Sequence, residues 1–176
     1  MELNLEGKLA IITGGSHGIG KAIVNALKEE KVKVMSLSRH DGWDLMKNVP
    51  EIRDMDILVN NVGGMGTCQE DEWEDCMKKN YGIMVQMTQK FIRQNKGWGR
   101  VITISSIYGK EKGDNPYFTA AKSAQIAFMK SMAGKYKGTT FNTICPGEID
   151  VGKVQRQDYF GNPEDVANLV TFLCSP

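Results

Sequence analysis

The sequence has no apolar run of membrane-spanning length, no excess of either charge and no cluster of metal-binding side chains. A spanning helix needs about twenty consecutive apolar residues, so no membrane partner is expected. Residues 1–8 lack the basic and apolar regions of a secretory leader, which makes the expected location cytoplasmic. With 22 basic and 21 acidic residues the net charge is +1, and no basic stripe argues for nucleic acid. Histidine is scarce: His17 and His40 have no partner pattern. Cys68, Cys76, Cys145 and Cys174 are scattered without metal-ligand spacing, so four free thiols and no metal are expected.

What is present is alternation. Apolar, β-type runs at 8–13, 32–38, 56–60, 100–105 and 140–145 are separated by helical patterns at 19–30, 71–94, 117–136 and 163–174. Strands alternating with helices predict an α/β fold, a doubly wound parallel sheet in a Rossmann-type three-layer αβα arrangement. At 176 residues, with no repeat or linker, the chain fits one domain, 1–176. Most of the ten methionines, such as Met77, Met84, Met87, Met129 and Met132, fall on helical apolar faces and read as core. Asn162, then Pro163 and Asp165, predicts the capped start of the last helix.

Thr13-Gly14-Gly15-Ser16-His17-Gly18-Ile19-Gly20 follows a strand and opens a helix. Glycines there allow a tight turn and close approach to a pyrophosphate, which a helix N-terminus stabilises. The end of the second strand carries Ser38 and Arg39 rather than an acid. A carboxylate there would hold two ribose hydroxyls, whereas serine and a guanidinium suit a 2′-phosphate, so NADP(H) is expected before NAD(H).

The order and spacing of these features resemble those of the classical short-chain dehydrogenases/reductases. The glycine turn has that family's TGxxxGIG spacing, and Asn60-Asn61-Val62-Gly63 is similar to its NNAG motif. Asn80, Ser106 and Lys122 fall where the family has its helix asparagine, serine and lysine, and Pro146-Gly147-Glu148-Ile149 where it has the PG motif that backs the nicotinamide. Asp44 resembles an aspartate that hydrogen-bonds adenine, although a lone carboxylate also caps turns. The resemblance implies a dinucleotide held by Gly14, Ser16, His17, Gly18, Ile19, Gly20, Ser38, Arg39, Asp44, Asn60, Val62, Gly63, Lys122, Pro146, Gly147 and Ile149. It also implies a small-molecule carbonyl or alcohol substrate and a homodimer or homotetramer built on the helix carrying residues 118–132.

One position departs from the pattern. The family's tyrosine acid stands four residues before its lysine, on one helix face, and here that residue is Phe118. Tyr117, five residues before Lys122, lies roughly 140° round the helix from it. Three readings stay open: Tyr117 supplies the proton from a distorted first turn, Tyr108 supplies it from the serine loop, or the protein binds nucleotide without turnover, as a sensor. Tyr117 is the acid taken forward, with Asn80, Ser106 and Lys122 as its companions. The stretch 149–162 is short where the family inserts substrate-covering helices, which predicts an open pocket. The sequence stops where the family adds a last strand, so the sheet is expected to be one strand short at its end.

Overall fold

The computed structural model describes residues 2–95, 97–152 and 160–176. Five parallel strands form one sheet in the order β2-β1-β3-β4-β5: β1 (Leu9–Thr13), β2 (Lys33–Leu37), β3 (Ile57–Asn60), β4 (Gly99–Ile104) and β5 (Thr139–Ile144). Pleating sends alternate residues to opposite faces, and the core divides accordingly. Ala10, Ile12, Ile57, Val59 and Ile102 join one hydrophobic cluster with α1 (Gly18–Glu29) and α5 (Pro163–Cys174). Ile11, Leu58, Val101 and Phe141 join a second cluster with α3 (Ile83–Gln94) and α4 (Pro116–Ala133). Central strands buried on both faces explain the unbroken apolar runs of β3 and β4. This is the expected α/β sandwich of helices about a parallel sheet. No described helix is long and apolar enough to cross a membrane.

Among the described residues the sheet ends at β2 on one side and at β5 on the other. In a doubly wound sheet of order 3-2-1-4-5-6 a further strand lies outside the second. Among the described residues nothing pairs there: residues 38–56 pass from β2 to β3 with only a 3₁₀ turn at Arg39–Asp41. That crossover fills the helix layer by seating Leu45, Val49, Ile52 and Met55 in the second cluster. The outer side of β2 is correspondingly bare, with Met35 44 % exposed. At the far edge, no described strand follows α5 to pair with β5.

The long helical pattern at 71–94 resolves into α2 (Trp73–Met77), one π-helical turn (Lys78–Gly82) and α3. Such a turn widens the backbone and is frequent at functional sites. At α5 the anticipated cap is present: Asp165 Oδ2 accepts from the Asn162 backbone N–H at 2.8 Å, and the Asn162 side chain reciprocates.

Candidate active site and dinucleotide cleft

The chain leaves β1 toward β2 on one side and returns through β3 on the other, so the β1/β3 boundary is the switch point where such sheets bind ligands. Gly14 turns there with φ +72, and α1 begins at Gly18 with His17 as an N-cap that supplies no side-chain hydrogen bond. The first amides of α1 are thus left for an anion. A Cβ on Gly20 would collide with the Gly14 carbonyl, so only glycine lets helix and turn close up. Ser16 Oγ lies 3.0 Å from His17 Nδ1 at the lip of this turn.

The two asparagines after β3 divide the work in a way their sequence did not disclose. Asn60 points into the core, donating to Thr88 Oγ1 at 3.2 Å and Thr103 Oγ1 at 3.4 Å. Asn61, not singled out from sequence, clamps the glycine turn by donating to the carbonyls of Thr13 (3.1 Å) and Gly14 (3.0 Å). Strand alternation is the signal that could have found it: neighbouring residues face opposite ways. The backbone N–H groups of Asn61 and Val62 both donate to Thr13 Oγ1, at 2.9 and 3.1 Å.

At the end of β2 the structure places a carboxylate that linear spacing concealed. The 3₁₀ turn carries Asp41 back so that Oδ2 accepts from Ser36 Oγ at 2.7 Å and from Ser38 Oγ at 2.5 Å. These hydroxyls hold its pKa below the ordinary carboxylate value. Ser38 is therefore buried and occupied, while Arg39 and His40 stay exposed beside it. Asp44 Oδ1 accepts from the Met46 backbone N–H at 3.1 Å, the turn-capping arrangement weighed from sequence.

Lys122, Asn80 and Gly63 are brought together where β3 and β4 end. Lys122 is 4 % exposed and donates from Nζ to the Ile104 carbonyl at 3.0 Å. Burial pulls its ammonium pKa down to about 8. A Cβ on Gly63 would stand 3.2 Å from Lys122 Nζ and 2.7 Å from Asn80 Oδ1, so this glycine clears the lysine's approach to the cleft. Asn80 sits in the π turn, fully buried; Oδ1 accepts from Gly64 N at 2.8 Å, and Nδ2 donates to the carbonyls of Gly64 (3.1 Å) and Cys76 (3.0 Å). Its own carbonyl accepts from Gln125 Nε2.

The two serines after β4 separate as the asparagines do. Ser105 is buried and donates to the Lys122 carbonyl at 2.9 Å, fastening β4 to α4, whereas half-buried Ser106 accepts from Tyr108 N at 3.3 Å. Phe118 is buried with its ring centroid 5.4 Å from Lys122 Nζ, so an aromatic face covers the ammonium. Tyr117, half-buried, packs with Tyr108 around Phe118, and among the described residues its hydroxyl has no partner. Tyr108 donates to Glu148 Oε1 at 3.1 Å, and that carboxylate pushes the phenol's pKa up.

The Pro146-Gly147 turn is tied to the serine loop by Ile107 N donating to the Pro146 carbonyl at 2.8 Å. Ile149 then bridges to Gly161, and Val151 lies against Gly18 of the glycine turn. Half of the short stretch expected to leave the pocket open, residues 153–159, lies outside the described residues.

A correction concerns the cysteines. Cys68 and Cys76 are joined in a disulfide, leaving Cys145 and Cys174 as thiols. Spacing alone could not reveal it, because the pairing depends on α2 folding back over the loop that follows β3.

Comparison with known proteins agrees with this geometry. A family model described as short chain dehydrogenase matches residues 43–159. A 3-oxoacyl-[acyl-carrier-protein] reductase from Vibrio cholerae is 31 % identical, with 99 % of this chain and 92 % of that protein covered. The Escherichia coli protein of the same name is 30 % identical, covering 98 % and 92 %. The Vibrio alignment runs over 225 positions against 176 residues here, so at least 49 of that protein's residues have no counterpart. Among solved structures, an Agrobacterium tumefaciens protein with bound NADP superposes with a TM-score of 0.86 at 26 % identity, covering 99 % of this chain and 91 % of that one. A Sinorhizobium meliloti dehydrogenase/reductase superposes at 0.84 with 22 % identity, covering 99 % and 90 %.

Proposed function

Since the chain belongs to the short-chain dehydrogenase family, we propose that it interconverts a carbonyl compound and a secondary alcohol using a nicotinamide dinucleotide. The observation that carries this reading is Lys122. A lysine buried this deeply loses solvation when charged, yet it stands beside Asn80 under a glycine that leaves it room.

The residues present fit a dinucleotide. The uncapped start of α1, with Gly14 and Ser16 to Gly20, would hold the pyrophosphate. Val62, Gly63, Lys122, Pro146, Gly147 and Ile149 would line the nicotinamide half, with Asn60 supporting from the core. Bound there, the dinucleotide supplies or accepts a hydride. Ser106 would orient the substrate oxygen, and Lys122 would hold positive charge beside it. Asn80 keeps the loop of Gly63 and Gly64 in place. The proton falls to Tyr117, whose hydroxyl has no competing partner among the described residues. Tyr108 is already committed to Glu148.

For the adenosine half, NADP(H) follows from exposed Arg39 and from the NADP held by the Agrobacterium protein. A second reading, NAD(H), is favoured by Asp41, a carboxylate at the end of β2 that would repel a 2′-phosphate. A second reading of activity, a nucleotide sensor, is favoured by Phe118 covering Lys122.

Fluorescence titration with NADPH and NADH, followed by turnover on a panel of ketones and aldehydes, tests all of these. Binding with turnover that drops about 10²–10⁴-fold in Tyr117→Phe, but not in Tyr108→Phe, supports the enzyme as described. Binding without turnover supports the sensor. Absence of affinity for both nucleotides overturns both.

A further inference from the structure

The Cys68–Cys76 bond sits against the machinery rather than apart from it. Asn80 Nδ2 lies 3.6 Å from Cys68 Sγ and 3.7 Å from Cys76 Sγ, and donates to the Cys76 carbonyl. The Cys68 carbonyl accepts from Asn115 Nδ2 at 2.5 Å. Asn115 is the N-cap of α4 and accepts from the Phe118 N–H at 2.9 Å, so the same residue links the disulfide to the turn that carries Tyr117 and Phe118. The two sulfurs and Phe118 form one small buried cluster, with Tyr108 and Tyr117 packed on it. The covalent link thus joins the loop after β3 to α2, and hydrogen bonds from Asn80 and Asn115 tie it to the π turn and the start of α4.

We propose that Cys68 and Cys76 form a reversible thiol–disulfide site whose oxidised state assembles the candidate active site and whose reduced state loosens it. In the reducing direction a dithiol attacks one sulfur, passes through a mixed disulfide, and leaves as a cyclic disulfide. Cys68 and Cys76 gain two electrons and two protons in total. In the oxidising direction a small-molecule disulfide accepts them and is released as two thiols.

Opening the bond separates two sulfurs packed on every side, and the groups that must yield are Asn80, Phe118 and the Asn115 cap. Access comes from above: every residue from 69 to 75 is exposed, so lifting this short surface segment uncovers the pair. Glu70, Asp71, Glu72, Glu74 and Asp75 make that cover acidic, which disfavours anionic thiols and selects an uncharged dithiol as the reagent. The redox step stands on geometry alone; its effect on turnover rests on the function proposed above.

The test uses the full chain, isolated without reductant and then treated with dithiothreitol. Thiols titrated under denaturing conditions should rise from two to four. Hydrogen exchange, measured without nucleotide, should quicken by about tenfold or more at the amides of Gly64, Asn80 and Phe118 on reduction, and slow again after reoxidation. Cys174→Ala should keep this response. The double variant Cys68→Ser/Cys76→Ser should exchange like the reduced protein and ignore dithiothreitol. In a protein that turns over, activity should follow the same cycle. Four thiols before reduction that resist oxidation by a small disulfide, or exchange rates that do not change on reduction, overturn the proposal. Because exchange is read without nucleotide, a failure to bind NADPH or NADH would sink the enzyme and leave the redox site standing.

Discussion

Lys122 should make the protein's stability depend on alkaline pH in a way that one substitution removes. Burial lowers its pKa from an ordinary 10.5 to about 8 in the folded state. Between those values the unfolded chain binds the proton and the folded chain does not, so unfolding takes up a proton and stability rises with pH. Below the folded value both states are protonated, and the full cost of burying the charge, about 3 kcal/mol, is present. Integrating the linkage from about pH 7 to about pH 10 gives a stability gain of about 2–3 kcal/mol from this residue. Lys122→Met keeps most of the aliphatic volume and removes the titration. It also leaves the Ile104 carbonyl without its donor, a loss of about 1–3 kcal/mol that is independent of pH. The assay is urea unfolding of both proteins across that range, read as the difference between them, so that other titrating groups cancel. Wild type should gain about 2–3 kcal/mol relative to the variant, while nucleotide binding in Lys122→Met falls at every pH. Parallel pH curves for the two proteins would refute the reasoning, because a desolvated Lys122 must separate them.

Other residues yield sharper and cheaper tests. Gly20→Ala places a methyl against the Gly14 carbonyl, so backbone must move; the expected cost is about 1–3 kcal/mol by thermal unfolding, with loss of both nucleotides in titration. Asp41→Asn should strengthen NADPH binding while weakening NADH, and Arg39→Ala should weaken NADPH much more than NADH; equal changes for the two nucleotides would remove both residues from the ribose site. Asn162→Ala breaks the reciprocal cap of α5 at a cost of about 1 kcal/mol, seen as a small drop in Tm with turnover untouched.

Residue type and spacing exposed the features that are local in the chain. The glycine turn, the helix start at Asn162 and the lysine on α4 each announce themselves within a few residues, because turn geometry, capping and helical periodicity act over that range. Position alone did not tell Asn60 from Asn61, or show which groups Ser105 and Ser106 would meet; their partners come from other elements. That β2 would lie outermost was equally hidden, since strand order depends on which elements pair across the sheet.

The sequence by itself determined the parallel α/β plan, the glycine turn between β1 and α1 and a phenyl ring four residues before Lys122, all consequences of alternation and spacing along one dimension. Only tertiary structure decided that Asp41 returns to Ser36 and Ser38, that Cys68 meets Cys76, and that Lys122 is sealed beneath Gly63 with its proton loosened. These depend on groups far apart or turned back in the chain meeting in a dry interior. There, distance and desolvation set the chemistry, and neither can be read from order alone.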